Sequence, residues 1–185
     1  MRFAATHADL VGLSLAQRPA DVDALRDRCR GSPGAGLGVV LKIETSEGPH
    51  RLPELLLAGM AWGRVGVMVA RDDLAVECGF ERLAEVQDEI LWLCDAAHVP
   101  VIWATQVLDQ MARTGQPSRA EVSDAVLAAR AECVMLNKGP YIVQAVMTLD
   151  DILRRMEAHQ RKKAPLLRHL HSWSPEAATH PRQGR

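Results

Sequence analysis

Along the chain, short runs of near-continuous apolar residues alternate with segments whose apolar positions recur at helical spacing. The runs are 9–15 (DLVGLSL), 38–44 (GVVLKIE), 65–70 (VGVMVA), 99–106 (VPVIWATQ) and 133–137 (CVMLN). Runs of this evenness predict strands of a parallel sheet covered on both faces. The segments between them predict helices. After the first run, Pro19 stands at a helix start and Gly31 at its stop, with Val22, Leu25 and Cys29 on one face. LPELLLAG (52–59) is a short helix, and Leu83, Val86, Ile90, Leu93 and Cys94 form one stripe in FERLAEVQDEILWLCDAA. Ser118 and Glu121 have capping-box spacing, and so do Thr148 and Asp151 before the last helical pattern. Five consecutive βα units imply an α/β fold, either doubly wound or part of a (β/α)8 barrel.

Composition changes this picture little. A chain of 185 residues, 48% hydrophobic and 24% charged, fits one domain with a sizeable core. With 22 basic against 23 acidic residues it lacks the electrostatic footprint of a nucleic-acid binder. Residues 159–185 are expected to be a basic, flexible tail, within which His169 and His171 have no third metal ligand beside them. Cys29, Cys78, Cys94 and Cys133 lie far apart, which argues against a zinc site or a disulfide framework and for reduced thiols in a cytoplasm. No run approaches the ~20 apolar residues of a membrane span, and the first residues do not read as a signal peptide.

In either parallel architecture, chemistry gathers at the carboxyl ends of the strands. The residues there are Ser14, Lys42, Glu44, Arg71, Asp72, Asp73, Thr105, Gln106, Asn137 and Lys138. Alternation with period two puts Lys42 and Glu44 on one face and gives Arg71 and Asp73 a common face likewise. Two successive strands thus each deliver a cation and a carboxylate to the same end of the sheet. Carboxylate oxygens from two strands suit Mg²⁺ or Mn²⁺, and Lys42 could offset charge on a phosphoryl group or an enolate. The same residues also fit a Lys–Glu and Arg–Asp ion-pair network that only caps the sheet, and spacing leaves both readings open.

Taken in order, VVLKIETSEGPHRLPELLLAG, VGVMVARDDLAVE, VPVIWATQVLDQM, PSRAEVSDAVLA and CVMLN resemble the second half of the catalytic barrel of the pyruvate kinase family. HADLVGLSLAQRPADVDALR resembles the strand and helix that precede them, so that 1–158 reads as strands 4 to 8 of the barrel. The resemblance implies phosphoryl transfer between phosphoenolpyruvate and ADP, giving pyruvate and ATP. It implies Lys42 beside the transferring phosphoryl group, Glu44 and Asp73 as ligands of Mg²⁺ (or Mn²⁺), and Thr105 against the enolate face with a part in proton delivery. Asp72, Asp73 and Thr105 are implied at the substrate, with Arg71 as a structural arginine. Ser118, Arg119 and Glu121 match the motif that opens the next helix, where capping and scaffolding are expected of them.

The departures from the family pattern bear on activity. Asp72 stands where the family has a glycine and Ala75 where a second is usual; those glycines let backbone N–H groups approach the substrate carboxylate. Asn137, Lys138 and Gly139 replace a serine-glycine-glutamate-threonine loop, and Leu15 and Gln17 replace a phenylalanine and a basic residue. The first three barrel strands are not recognisable, nor are the residues that hold K⁺ in the family, the lid domain or the regulatory domain. Three readings follow: a pyruvate kinase inactive or weakly active alone, a catalytically silent structural or regulatory half-barrel, and a Mg²⁺-dependent phosphoenolpyruvate-class lyase or aldolase. Open sheet edges are expected to drive self-association or to recruit a partner supplying strands.

Overall fold

The structure is a computed structural model that describes residues 2–29 and 36–160. The Gly31 helix stop, His169 and His171 lie outside the described residues, as does the expected tail from residue 161 onward.

Five parallel strands form one sheet in the order of the chain: β1 (Leu10–Leu13), β2 (Gly38–Ile43), β3 (Val65–Ala70), β4 (Val101–Val107) and β5 (Cys133–Leu136). The apolar runs therefore became strands, trimmed at their ends. β1 is shorter than expected because Leu15 turns to a left-handed φ of 54° and lies exposed. Register puts Val11, Val39, Val65 and then Leu13, Leu41, Val67, Val101 in rows on one face, continued by Ile43, Val69, Trp103 and Val134. That face is the core: Leu41, Ile43, Val67 and Val69 pack with Val22 of α2 (Pro19–Cys29), Leu52 and Leu55 of α4 (Leu52–Met60), and Val86, Ile90 and Cys94 of α6 (Phe80–Ala96). Burial of such side chains stabilises by about 1.5–3 kcal/mol each.

The expectation of a sheet covered on both faces is corrected. The other face carries Leu10, Gly12, Val40, Lys42, Gly66, Met68, Ala70, Ile102 and Ala104, and Leu10 is 58% exposed. No strand among the described residues joins β1 to β5, so the barrel is not closed. At the amino ends of the strands this face opens on a cavity of about 500 Å³, lined by Leu10, Val40, Gly66, Ile102, His98 and Cys133.

Other helices depart from the sequence pattern. α1 (Arg2–His7) and α3 (Glu47–His50) add short turns before β1 and α4. α5 (Arg71–Cys78) begins on the residue after β3, where the strand pattern had been extended. α7 (Asp109–Thr114) and α8 (Arg119–Ala128) follow β4, and α9 starts at Ile142 and runs to Gln160. The expected capping box at Thr148 and Asp151 is therefore wrong: both lie inside α9, where backbone N–H groups already have helical partners. At Ser118 the box is present in both directions, with Ser118 Oγ accepting from Glu121 N–H at 3.2 Å and Glu121 Oε2 accepting from Ser118 N–H at 2.9 Å. No helix among the described residues is long and apolar enough to cross a membrane.

Candidate active site at the carboxyl ends of the strands

β2 ends at Ile43, so Lys42 is its last residue on the open face and Glu44 the first residue beyond it. Lys42 Nζ and Glu44 form an ion pair, and Lys42 Nζ donates to Ser14 Oγ at 3.3 Å. Glu44 is only 6% exposed, and its Oε1 contacts the ammonium without an aligned hydrogen bond. A carboxylate this buried needs positive charge close by. Gln17 Nε2 donates to Thr45 Oγ1 at 3.2 Å, tying the loop after β1 to the loop after β2.

Arg71, Asp72 and Asp73 are not a continuation of β3 but the first turn of α5. Positions two apart on a helix point to nearly opposite sides, so the shared face expected for Arg71 and Asp73 is corrected. Arg71 is buried and turns away from solvent, whereas Asp73 is exposed at the rim. The Arg71 guanidinium donates to Ala104 O at 2.9 Å and to Thr105 O, pairs with Asp124 of α8, and lies 4.9 Å from the ring centre of Trp103.

The A-T-Q segment is where β4 breaks register. Between Trp103 and Val107 the pairing with β5 shifts, and Thr105 and Gln106 both have left-handed φ, 66° and 54°. That region is costly for a β-branched residue. Thr105 Oγ1 accepts from Asp72 N–H at 3.2 Å. Burial pushes the Asp72 carboxyl above its ordinary pKa; Arg71 and the Thr105 hydroxyl pull it down, while Asp73 and Asp109 push it up. Asp109 itself accepts from Asn137 Nδ2 at 3.1 Å and pairs with Arg113 at 2.9 Å, so the loop after β5 is held to the start of α7.

The predicted residues thus fall into two groups and a flank. Lys42, Glu44 and Ser14 form one group; Arg71, Asp72 and Thr105 form the other. The loop after β2 touches α5 where Ser46 N–H and Oγ donate to Glu77 Oε2 at 3.4 and 3.5 Å. Ser118 and Glu121 cap α8, and Glu121 Oε1 also accepts from Gln110 N–H at 2.5 Å, which locks α8 to α7; Arg119 is exposed. Asp124 was missed by sequence reasoning. Its signal was available, since it follows Glu121 by one turn on the face that buries Ala125 and Ala128. Hard oxygen donors with a partly satisfied buried carboxylate fit a divalent cation, although no three His, Cys, Asp or Glu side chains converge among the described residues.

A family model described as pyruvate kinase, barrel domain, matches residues 1–146. Among curated proteins, the chain is 35% identical over 184 aligned positions to pyruvate kinase PKLR of Rattus norvegicus, covering 91% of this chain and 31% of that protein. It is 37% identical over 155 positions to pyruvate kinase of Bacillus licheniformis, covering 80% of this chain and 26% of that protein. The chain spans about a third or less of the length of the curated relatives it matches. Parallel βα units in chain order agree with these matches: the chain belongs to the pyruvate kinase family and carries part of its barrel domain.

Proposed function

We propose that the chain provides the metal-bearing and enolate-facing part of a site for phosphoryl transfer between phosphoenolpyruvate and ADP, in the cytoplasm. The observation that supports this most is the ion pair between the partly exposed Lys42 and the buried Glu44 at the end of β2, one strand from the acidic first turn of α5. Glu44 and Asp73 would hold Mg²⁺ or Mn²⁺, which when bound supplies positive charge to the phosphoryl and enolate oxygens. Lys42 offsets charge on the transferring group, and the Thr105 hydroxyl faces the enolate carbon to hand on a proton. Phosphoryl transfer depends on positioning and electrostatics more than on covalent chemistry, which suits a site built from a cation, carboxylates and a hydroxyl at neighbouring strand ends. Family membership favours this reading over a lyase or aldolase.

A second reading, a catalytically silent half-barrel, draws on Asp72. Its side chain adds negative charge where an anionic substrate would sit, and its N–H is already engaged by Thr105 Oγ1. Manganese titration followed by electron paramagnetic resonance tests the metal assignment. We expect weak binding to the parent chain, because two carboxylates leave most of the ion's shell to water, and a clear loss in Glu44→Gln and in Asp73→Asn. Equal binding by all three proteins refutes the proposed ligands.

A further inference from the structure

We infer that Asp124, acting through Arg71, is the positioning residue that holds Thr105 in its left-handed conformation and so aims the Thr105 hydroxyl. The inference rests on the reading of Thr105 as a group of the reaction site, but its mechanics stand apart from any turnover.

Thr105 should not choose this backbone by itself. A branched β-carbon collides with its own backbone at positive φ, and the cost of a left-handed residue is about 1–2 kcal/mol. Two such residues in succession, Thr105 and Gln106, persist only where the surroundings over-determine them. Those surroundings are few and specific. The carbonyls of Ala104 and Thr105, which flank the distorted φ of Thr105, both point at one guanidinium. A planar guanidinium presents donors in a fixed fork, so binding two successive carbonyls with it fixes the turn between them. The fork is itself held from two sides: Trp103, 1% exposed, underlies it, and the Asp124 carboxylate pairs with Nη1. Asp124 comes from α8, whose start is anchored by the Ser118–Glu121 box and by the Gln110–Glu121 bond. Chain geometry set at the cap of α8 therefore reaches Thr105 through one ion pair. On the far side, Thr105 Oγ1 accepts from Asp72 N–H, which orients the hydroxyl toward the first turn of α5.

The test reads conformation directly. In an isotopically labelled chain of these 185 residues, the three-bond coupling from the Ala104 carbonyl carbon to the Thr105 Hα distinguishes positive from negative φ at Thr105. The parent and Arg71→Lys are compared first, since lysine keeps the charge but cannot fork between two carbonyls. Asp124→Asn is the milder second variant should Arg71→Lys fail to fold. We expect the positive-φ signature in the parent, and its loss or averaging in either variant. Substitution at 105 supplies a second readout. In the parent background Thr105→Gly should fold more favourably than Thr105→Ala by roughly five- to thirtyfold in equilibrium constant, because glycine alone is at ease at positive φ. In the Asp124→Asn background that advantage should shrink or reverse. A signature unchanged in both variants, or a glycine advantage equal in both backgrounds, overturns the inference and leaves Arg71–Asp124 as packing only. Failure of manganese to bind would instead count against the proposed reaction and leave this result standing.

Discussion

Asp72 carries the clearest pH consequence at the level of a single residue. Because burial holds its carboxyl above the ordinary value, the folded chain binds this proton more tightly than the unfolded chain does. The associated stability is present in acid and is lost as pH rises through the folded pKa, so the ionised side chain is unfavourable at neutrality. Asp72→Asn should therefore raise the thermal midpoint at pH 7 and change it little near pH 3; an effect of equal size at both pH values contradicts this account. Lys42, Glu44, Asp73 and Thr105 were legible in the sequence as residues at strand ends, and the first two came out as neighbours. What was not legible was their orientation. Nothing in A-T-Q announces two successive left-handed residues, because no glycine or asparagine marks the turn. The role of Arg71 as a fork between carbonyls depends on that turn, and so was hidden with it.

Among the elements, strands were easier to read than the starts of helices. The apolar runs survive as β1 to β5 because a buried face tolerates few alternatives. α5 was missed for a local reason: RDDLAVEC has no strong apolar stripe, and it abuts β3 without a turn residue. α9 was read as starting too late, since the chance spacing of Thr148 and Asp151 imitated a cap inside a helix already under way. The Ser118 box shows what distinguishes a real cap. Pro117 precedes it, Ser118 takes extended backbone angles, and both reciprocal bonds form. Ser118→Ala should cost about 1 kcal/mol of stability, measured by denaturant unfolding, and Ser118→Asp should restore most of it. No loss in the alanine variant would mean that the Gln110–Glu121 bond alone holds the start of α8.

For the molecule as a whole, the unclosed sheet matters most. β1 and β5 are the ends of the sheet among the described residues, and the face that bears Leu10, Met68 and Ile102 is only partly covered. Unpaired strand edges beside apolar side chains favour association. A polypeptide of these 185 residues should therefore sediment and scatter as more than a monomer at tens of micromolar, and show no ADP-dependent pyruvate formation above background in a coupled assay. A monomer by light scattering refutes the first expectation. Turnover near the ~10 s⁻¹ median of enzymes, abolished in Lys42→Met, refutes the second.

Strand order that repeats chain order has one more consequence, for how the fold is gained and lost. Each strand docks only on the units next to it in sequence, as the repeats of a solenoid do, so assembly can spread outward from wherever it begins without first closing a long loop. A closed barrel lacks this freedom, because its last strand must find its first. The amides of β3 and its neighbours should then exchange with solvent slowest, with protection falling stepwise toward β1 and β5. Equal protection across all five strands would mean that they open as one unit; a graded profile would mean that the edges peel away while the centre holds.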